Sequence, residues 1–270
     1  SDRVKAPNAL HIPETIGAVA VAYNLDGVSS GLHLTGSVLA DIFMGKVTRW
    51  NDPAIHALNP NAPLPDRNIT VVHRSEGSGT TFIFTSFLSE ASSTWATAIG
   101  SGKTVTWPVG LGASGNPGLA SVVQANPYTI GYIELAHILQ NNMTVAAIQN
   151  PSGNWIVPSL ESTQIAAQSS ASSGLPAGNA DWAEVSLLNA QDPQAYSIVS
   201  FSYTLVYQEL NVIPSMTGDK AKALVEFLWW MVHDGQELAS GLSYVPLPTN
   251  VVQVNEEAIR SITFNGQKLA

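Results

Sequence analysis

The stretch "HRSEGSGTT", His73 to Thr81, gathers an arginine, an acid, two glycines and four hydroxyl residues. It follows the apolar run "NITVVH" and leads into "FIFTSFLSE", so it reads as a strand-to-helix turn. Several known chemistries fail there. A phosphate-binding P-loop needs a lysine after its last glycine, and Thr80 follows Gly79. A dinucleotide fingerprint needs a glycine where Phe82 stands. A nucleophile elbow around Ser78 needs glycines at 76 and 80, which are Glu76 and Thr80. Anion binding passes the same test. The first turn of a helix leaves backbone N–H groups free, and the helix dipole adds positive potential there. Gly77 and Gly79 let an oxyanion approach the backbone, and Ser78, Thr80 and Thr81 offer hydroxyls. Arg74 adds a planar fork suited to phosphate or carboxylate, with Glu76 two residues on to orient it. A capped helix carrying a surface Arg–Glu pair accounts for the same letters.

Other chemistry finds less support. The six histidines (His11, His33, His56, His73, His137 and His233) show no metal-ligand spacing, so no metal site is expected. With no cysteine, thiolate catalysis and disulfides are excluded. No activated nucleophile or metal cluster is visible, so no catalytic residue is assigned and no cofactor is expected. The net charge of −9, with no basic run to offset it, argues against nucleic acid and anionic membranes as partners. No stretch approaches the ~18 apolar residues of a membrane span, and no signal segment is visible in the sequence.

The elements that must position the corner follow from periodicity. Ile16–Leu25 reads as a buried strand, and Thr35 caps a helix whose face is Val38, Leu39, Ile42 and Phe43, with Gly45 as its stop. A helix runs from the corner to about Leu88, another starts near Pro117, and "YTIGYIE" is a strand. A long strand or strand pair covers Tyr196–Glu209, and a helix covers Asp219–His233. In that last helix one of Trp229 and Trp230 is expected in the core, with the other exposed or facing a partner. Trp50 and His73 read as packing residues. Strands alternating with helices over 270 residues predict an α/β fold in two lobes.

Three segments together resemble a known family. "HRSEGSGTTFIFTSFLS", "LTGSVLADIFMGKVTRWNDPAIHALNP" and "VGLGASGNPGLASVVQANPYTIGYIE", with the ending "YVPLP", are similar to the phosphate-binding proteins of bacterial phosphate ABC transporters. The likeness spans nearly the whole chain. It implies a two-lobed periplasmic-binding-protein-like fold of type II with a two-strand hinge. One lobe would comprise 1–21 plus 198–270, and the other 22–197 with the Arg74–Thr81 anion loop. Carried over by position, Arg74, Ser78, Gly79 and Thr80 match the family's phosphate ligands. Asp2 matches the aspartate that accepts the proton of hydrogen phosphate, and Glu76 stands where an aspartate usually braces the arginine. The resemblance further implies a monomeric receptor, not an enzyme, that carries inorganic phosphate to membrane permease subunits. It would work in the periplasm, or on the extracellular face as a lipoprotein. A phosphate-ester hydrolase using the same cradle, or a receptor for another oxyanion, are the alternatives. The family carries several tens of residues ahead of the "SD" at the start of this sequence, including a strand, a helix and a glycine-rich loop. The first lobe is therefore expected to be incomplete, with an apolar edge open beside its strands.

Overall fold

A computed structural model describes residues 8–171 and 174–269. The strands are β1 (Ala9–Tyr23), β2 (His33–Leu34), β3 (Thr70–Arg74), β4 (Leu111–Ala113), β5 (Thr129–Glu134), β6 (Ala147–Gln149), β7 (Trp155–Ile156), β8 (Val199–Tyr207), β9 (Thr263–Phe264) and β10 (Gln267–Lys268). The helices are α1 (Gly36–Phe43), α2 (Pro53–His56), α3 (Gly79–Ala91), α4 (Ser93–Ala98), α5 (Gly115–Ala125), α6 (Leu135–Gln140), α7 (Leu160–Ala171), α8 (Gly218–Val232) and α9 (Thr249–Arg260). The mixture of sheet and covering helices is the expected α/β class.

The chain forms two compact units. One contains Gly17–Ala166 and Leu188–Ser200; the other takes the residues up to Ile16, Ala167–Leu187 and the chain from Phe201 onward. Strands β1 and β8 each contribute residues to both units.

The larger unit is built on a five-stranded sheet of order β4-β3-β5-β1-β8. Strand β3 lies parallel to both β4 and β5, whereas β5 runs antiparallel to β1. The register sets Val72 opposite Leu111 on one side and Gly131 on the other. Glycine is required at 131: a Cβ there would come within 2.6 Å of the Leu119 side chain and 3.1 Å of the Val72 carbonyl. That close approach packs α5 onto the sheet. Ile130, Tyr132 and Ile133 of β5 are fully buried, as are Leu39, Phe43, Phe84, Leu88 and Leu119 from the helices. Burying each such side chain contributes about 1.5–3 kcal/mol.

Helix α1 begins as its sequence dictates. The Thr35 side chain accepts the Val38 N–H at 3.2 Å, and Gly45, at φ +71°, takes the left-handed position just past the end. Leu39, Ile42 and Phe43 face the core, while Val38 is half-buried.

In the smaller unit, α8 packs against α9. Thr217 caps α8 by accepting the Lys220 N–H at 3.4 Å. Asn255 is wholly buried and donates its amide to the Pro13 carbonyl at 2.7 Å. Neither tryptophan of α8 is a core residue. Trp229 is half-buried, stacked on the His233 ring at 4.4 Å with the Arg260 guanidinium 4.9 Å from its own ring centre. Trp230 is 43% exposed and stacks on exposed Phe227. A cation and an imidazole cover the Trp229 faces that hydrophobicity alone assigns to the core.

Candidate functional site

The end of β3 and the start of α3 form the corner. Arg74 is the last residue of β3, and its backbone N–H donates to the Tyr132 hydroxyl at 3.1 Å. The same hydroxyl lies 2.7 Å from that of Thr81, the third residue of α3. Tyr132 therefore ties strand end and helix start to β5. Burial raises its phenol above the ordinary range. Its ring stacks on Phe84 at 4.5 Å and on Trp107 at 5.6 Å, and Trp107 stacks on His73 at 5.0 Å. These rings form a rigid base under the turn.

Ser78 caps α3, its hydroxyl oxygen accepting the Thr81 N–H at 3.3 Å. Its own N–H donates to the Lys103 carbonyl at 2.9 Å. The cap uses only a lone pair, so the Ser78 hydroxyl proton stays available as a donor. The N–H groups of Gly79 and Thr80, at the first two helical positions, have no carbonyl partner among the described residues. A Cβ at Gly79 would meet no atom within 4 Å, so the approach is open.

Arg74 is held from one side. Its Nε donates to Glu76 Oε1 at 2.8 Å, and an Nη donates to the same oxygen. The backbone N–H of Gly115, first residue of α5, reaches that oxygen too, at 3.0 Å. Glu76 thus joins the arginine to the N-terminus of a second helix. Arg74 hydrogen bonding first, and the Gly115 N–H second, hold the Glu76 carboxyl down at about 2. Two of the five guanidinium N–H groups are used in this way, and three remain. The Arg74 side chain is 11% exposed, so its remaining donors act where water screens them little.

The corner is a preorganised oxyanion cradle: two free backbone N–H groups, a free hydroxyl proton and a braced guanidinium on neighbouring residues. Arg74, Glu76, Ser78, Gly79 and Thr80 stand together on it; Asp2 lies outside the described residues. Three supporting residues escaped the sequence reading. Tyr132 sits in a strand whose tyrosine signals only burial, Gly115 acts through its backbone, and Lys103 is brought in from a loop. No group of three metal-ligating side chains occurs among the described residues.

Periplasmic-binding-protein folds carry such cradles on α/β chains, and similarity to known proteins puts this chain in that class. The profile of the PBP superfamily domain matches residues 2–234. A curated relative named phosphate-binding protein PstS, from Xylella fastidiosa strain Temecula1, is 43% identical over 249 residues, covering 89% of this chain and 64% of that protein. A second of the same name, from Pasteurella multocida, is 41% identical over 250 residues, covering 90% and 68%. The chain belongs to the PBP superfamily and, within it, to the family of PstS phosphate-binding proteins. It spans 64% of the length of the Xylella relative. Among solved structures, a high affinity periplasmic phosphate-binding protein (PfluDING) bound with phosphate aligns with a TM-score of 0.67 at 17% identity, over 93% of this chain and 71% of that one. That likeness shows the fold.

Proposed function

We propose that the protein is a receptor for inorganic phosphate, bound at the Arg74–Thr80 corner and delivered to the permease subunits of an ABC transporter. The observation that carries this reading is the free donor set on Ser78, Gly79 and Thr80 beside a guanidinium braced on one side only. Membership of the PstS family, whose members are named for phosphate binding, supports it. Asp2 has the role of accepting the proton of hydrogen phosphate, which would disfavour sulfate. The working compartment is the periplasm, or the outer face of the membrane with a lipid anchor; no helix among the described residues is long and apolar enough to cross a membrane. The receptor acts as a monomer, and carriage needs neither metal nor cofactor.

Binding fits the corner better than hydrolysis does. The Ser78 oxygen is bonded to the Thr81 N–H and to no basic side chain, so nothing activates it as a nucleophile. A thermal-shift panel of phosphate, sulfate, molybdate and sugars, run beside a phosphomonoesterase assay, tests the reading. Stabilisation by phosphate well above that by sulfate, without turnover, is expected. Phosphomonoester turnover that disappears in a Ser78→Ala variant would replace the receptor with an enzyme.

A further inference from the structure

Lys103 stands apart among the cations of the larger unit. Lys46 pairs with Asp41 at 3.5 Å, Arg49 with Asp66 at 2.5 Å and Arg74 with Glu76, while Arg67 lies over the Tyr128 ring at 5.7 Å. Lys103 is exposed and, among the described residues, no carboxylate pairs with it. The unit carries nine acidic and five basic side chains, so an unmatched cation shapes its local field strongly.

The loop that carries Lys103 is fixed to the anion corner at successive points. Trp95 Nε1 donates to the Gly100 carbonyl at 2.9 Å, and the Gly102 N–H donates to the Thr85 hydroxyl at 3.1 Å. The Lys103 carbonyl accepts the Ser78 N–H at 2.9 Å, and a Cβ built on Gly77 would stand 3.4 Å from the Thr104 hydroxyl. Trp107 then stacks under the turn on Tyr132. The Lys103 backbone is therefore anchored on the very residue that caps α3. From that root its four-carbon stem lets the ammonium come within about one Debye length, ~10 Å at 0.1 M salt, of the Ser78–Thr80 donors.

Charge balance at the corner leaves this position meaningful. Arg74 and Glu76 offset one another at long range, and Glu134, whose carboxylate lies 3.4 Å from the Asn116 amide, adds a negative charge near the start of α5. At long range an approaching dianion would meet a net acidic unit, against which Lys103 sets an unmatched positive charge beside the corner.

We propose that Lys103 is the steering cation of the anion site, drawing phosphate to the Arg74 corner and raising the association rate, rather than serving as one of its bonded ligands. This rests on the phosphate reading given above. The test is stopped-flow measurement of phosphate association with the wild-type protein and with Lys103→Ala, Lys103→Glu and Lys103→Arg, followed by tryptophan fluorescence at low and high salt. At low ionic strength the association rate should fall about 3-fold in the Ala variant and about 10-fold in the Glu variant. In 0.5 M salt the differences should shrink to within about 2-fold, and Lys103→Arg should match wild type throughout. Dissociation rates should change little. Because the side chain is exposed and only its carbonyl supports the fold, the variants should melt with wild type. Tight phosphate binding by wild type with association rates indifferent to Lys103, or losses confined to dissociation and insensitive to salt, would overturn this inference and leave the receptor reading standing. A wild-type protein that binds no phosphate would overturn both.

Discussion

Arg74→Ala is the most informative single substitution. Three guanidinium N–H groups remain after Glu76 has taken two, and geometry allows two of these to meet adjacent oxygens of a tetrahedral anion. Each charge-assisted bond is worth about 1.5–3 kcal/mol, so removing both should weaken phosphate binding by ~3–6 kcal/mol, or ~10²–10⁴-fold in Kd. The loss has a second source. Without Arg74, the Glu76 carboxylate keeps its Gly115 N–H but stands uncompensated beside the incoming anion. Arg74→Lys should recover part of the affinity, since an ammonium restores the charge but not the fork. In a double-mutant cycle, Arg74→Ala with Glu76→Gln should bind about tenfold better than Arg74→Ala alone, because the stranded acid is gone. Isothermal titration calorimetry reads wild type, Arg74→Lys, both single variants of the cycle and the double variant directly. A phosphate affinity in Arg74→Ala equal to wild type, in a protein that still melts cooperatively, would refute the reasoning.

Other expectations follow from the same contacts. Tyr132→Phe should destabilise the larger unit by about 1–3 kcal/mol by removing the hydroxyl that the Arg74 N–H and Thr81 share, and should weaken phosphate binding as well; chemical denaturation that superimposes on wild type would contradict this. Since Arg74 and the Gly115 N–H hold Glu76 at about 2, the tether of the arginine is intact above the ordinary carboxylate range and is lost only as pH falls through about 2. A carbon-13 titration should therefore show Glu76 ionised throughout pH 4–7, and a midpoint above pH 4 would break the argument. Asp2→Asn should narrow the phosphate-to-sulfate affinity ratio measured by calorimetry, and an unaltered ratio would remove Asp2 from the site. At His233 burial pulls the imidazole down, but the Trp229 carbonyl and Glu256 outweigh it and leave the group raised above 6.5. Its stabilising contribution is thus full below pH 6.5 and fades as pH rises through the raised value, so Tm should drop more between pH 6 and 8 in wild type than in His233→Gln.

The corner was legible in the sequence because its donors are contiguous: capping serine, glycine and threonine occupy successive positions, and the preceding strand fixes where the turn begins. Its supports were not legible, since they arrive through sheet register. Arg74 pairs with Ala113 across β3 and β4, which brings the Gly115 N–H to Glu76, and no local pattern announces that pairing. The same holds for Tyr132, placed by the β3–β5 register, and for Lys103, whose loop is held by backbone carbonyls. Strand β1 shows the opposite failure. Periodicity starts this strand at Ile16, yet it runs unbroken from Ala9 through Pro13 and Glu14. There Asn255 satisfies the Pro13 carbonyl, and the Ser202 and Thr204 hydroxyls donate to the Glu14 carboxylate at 2.8 and 2.7 Å. These partners lie roughly two hundred residues away in sequence, beyond the reach of any window.

The most direct test of phosphate recognition is a crystal structure of the protein saturated with phosphate. The account expects a tetrahedral anion at the start of α3, its oxygens about 3 Å from the Gly79 and Thr80 N–H groups, the Ser78 hydroxyl and the free face of the Arg74 guanidinium. Phosphate bound elsewhere, with the Gly79 and Thr80 N–H groups facing only water, would contradict it.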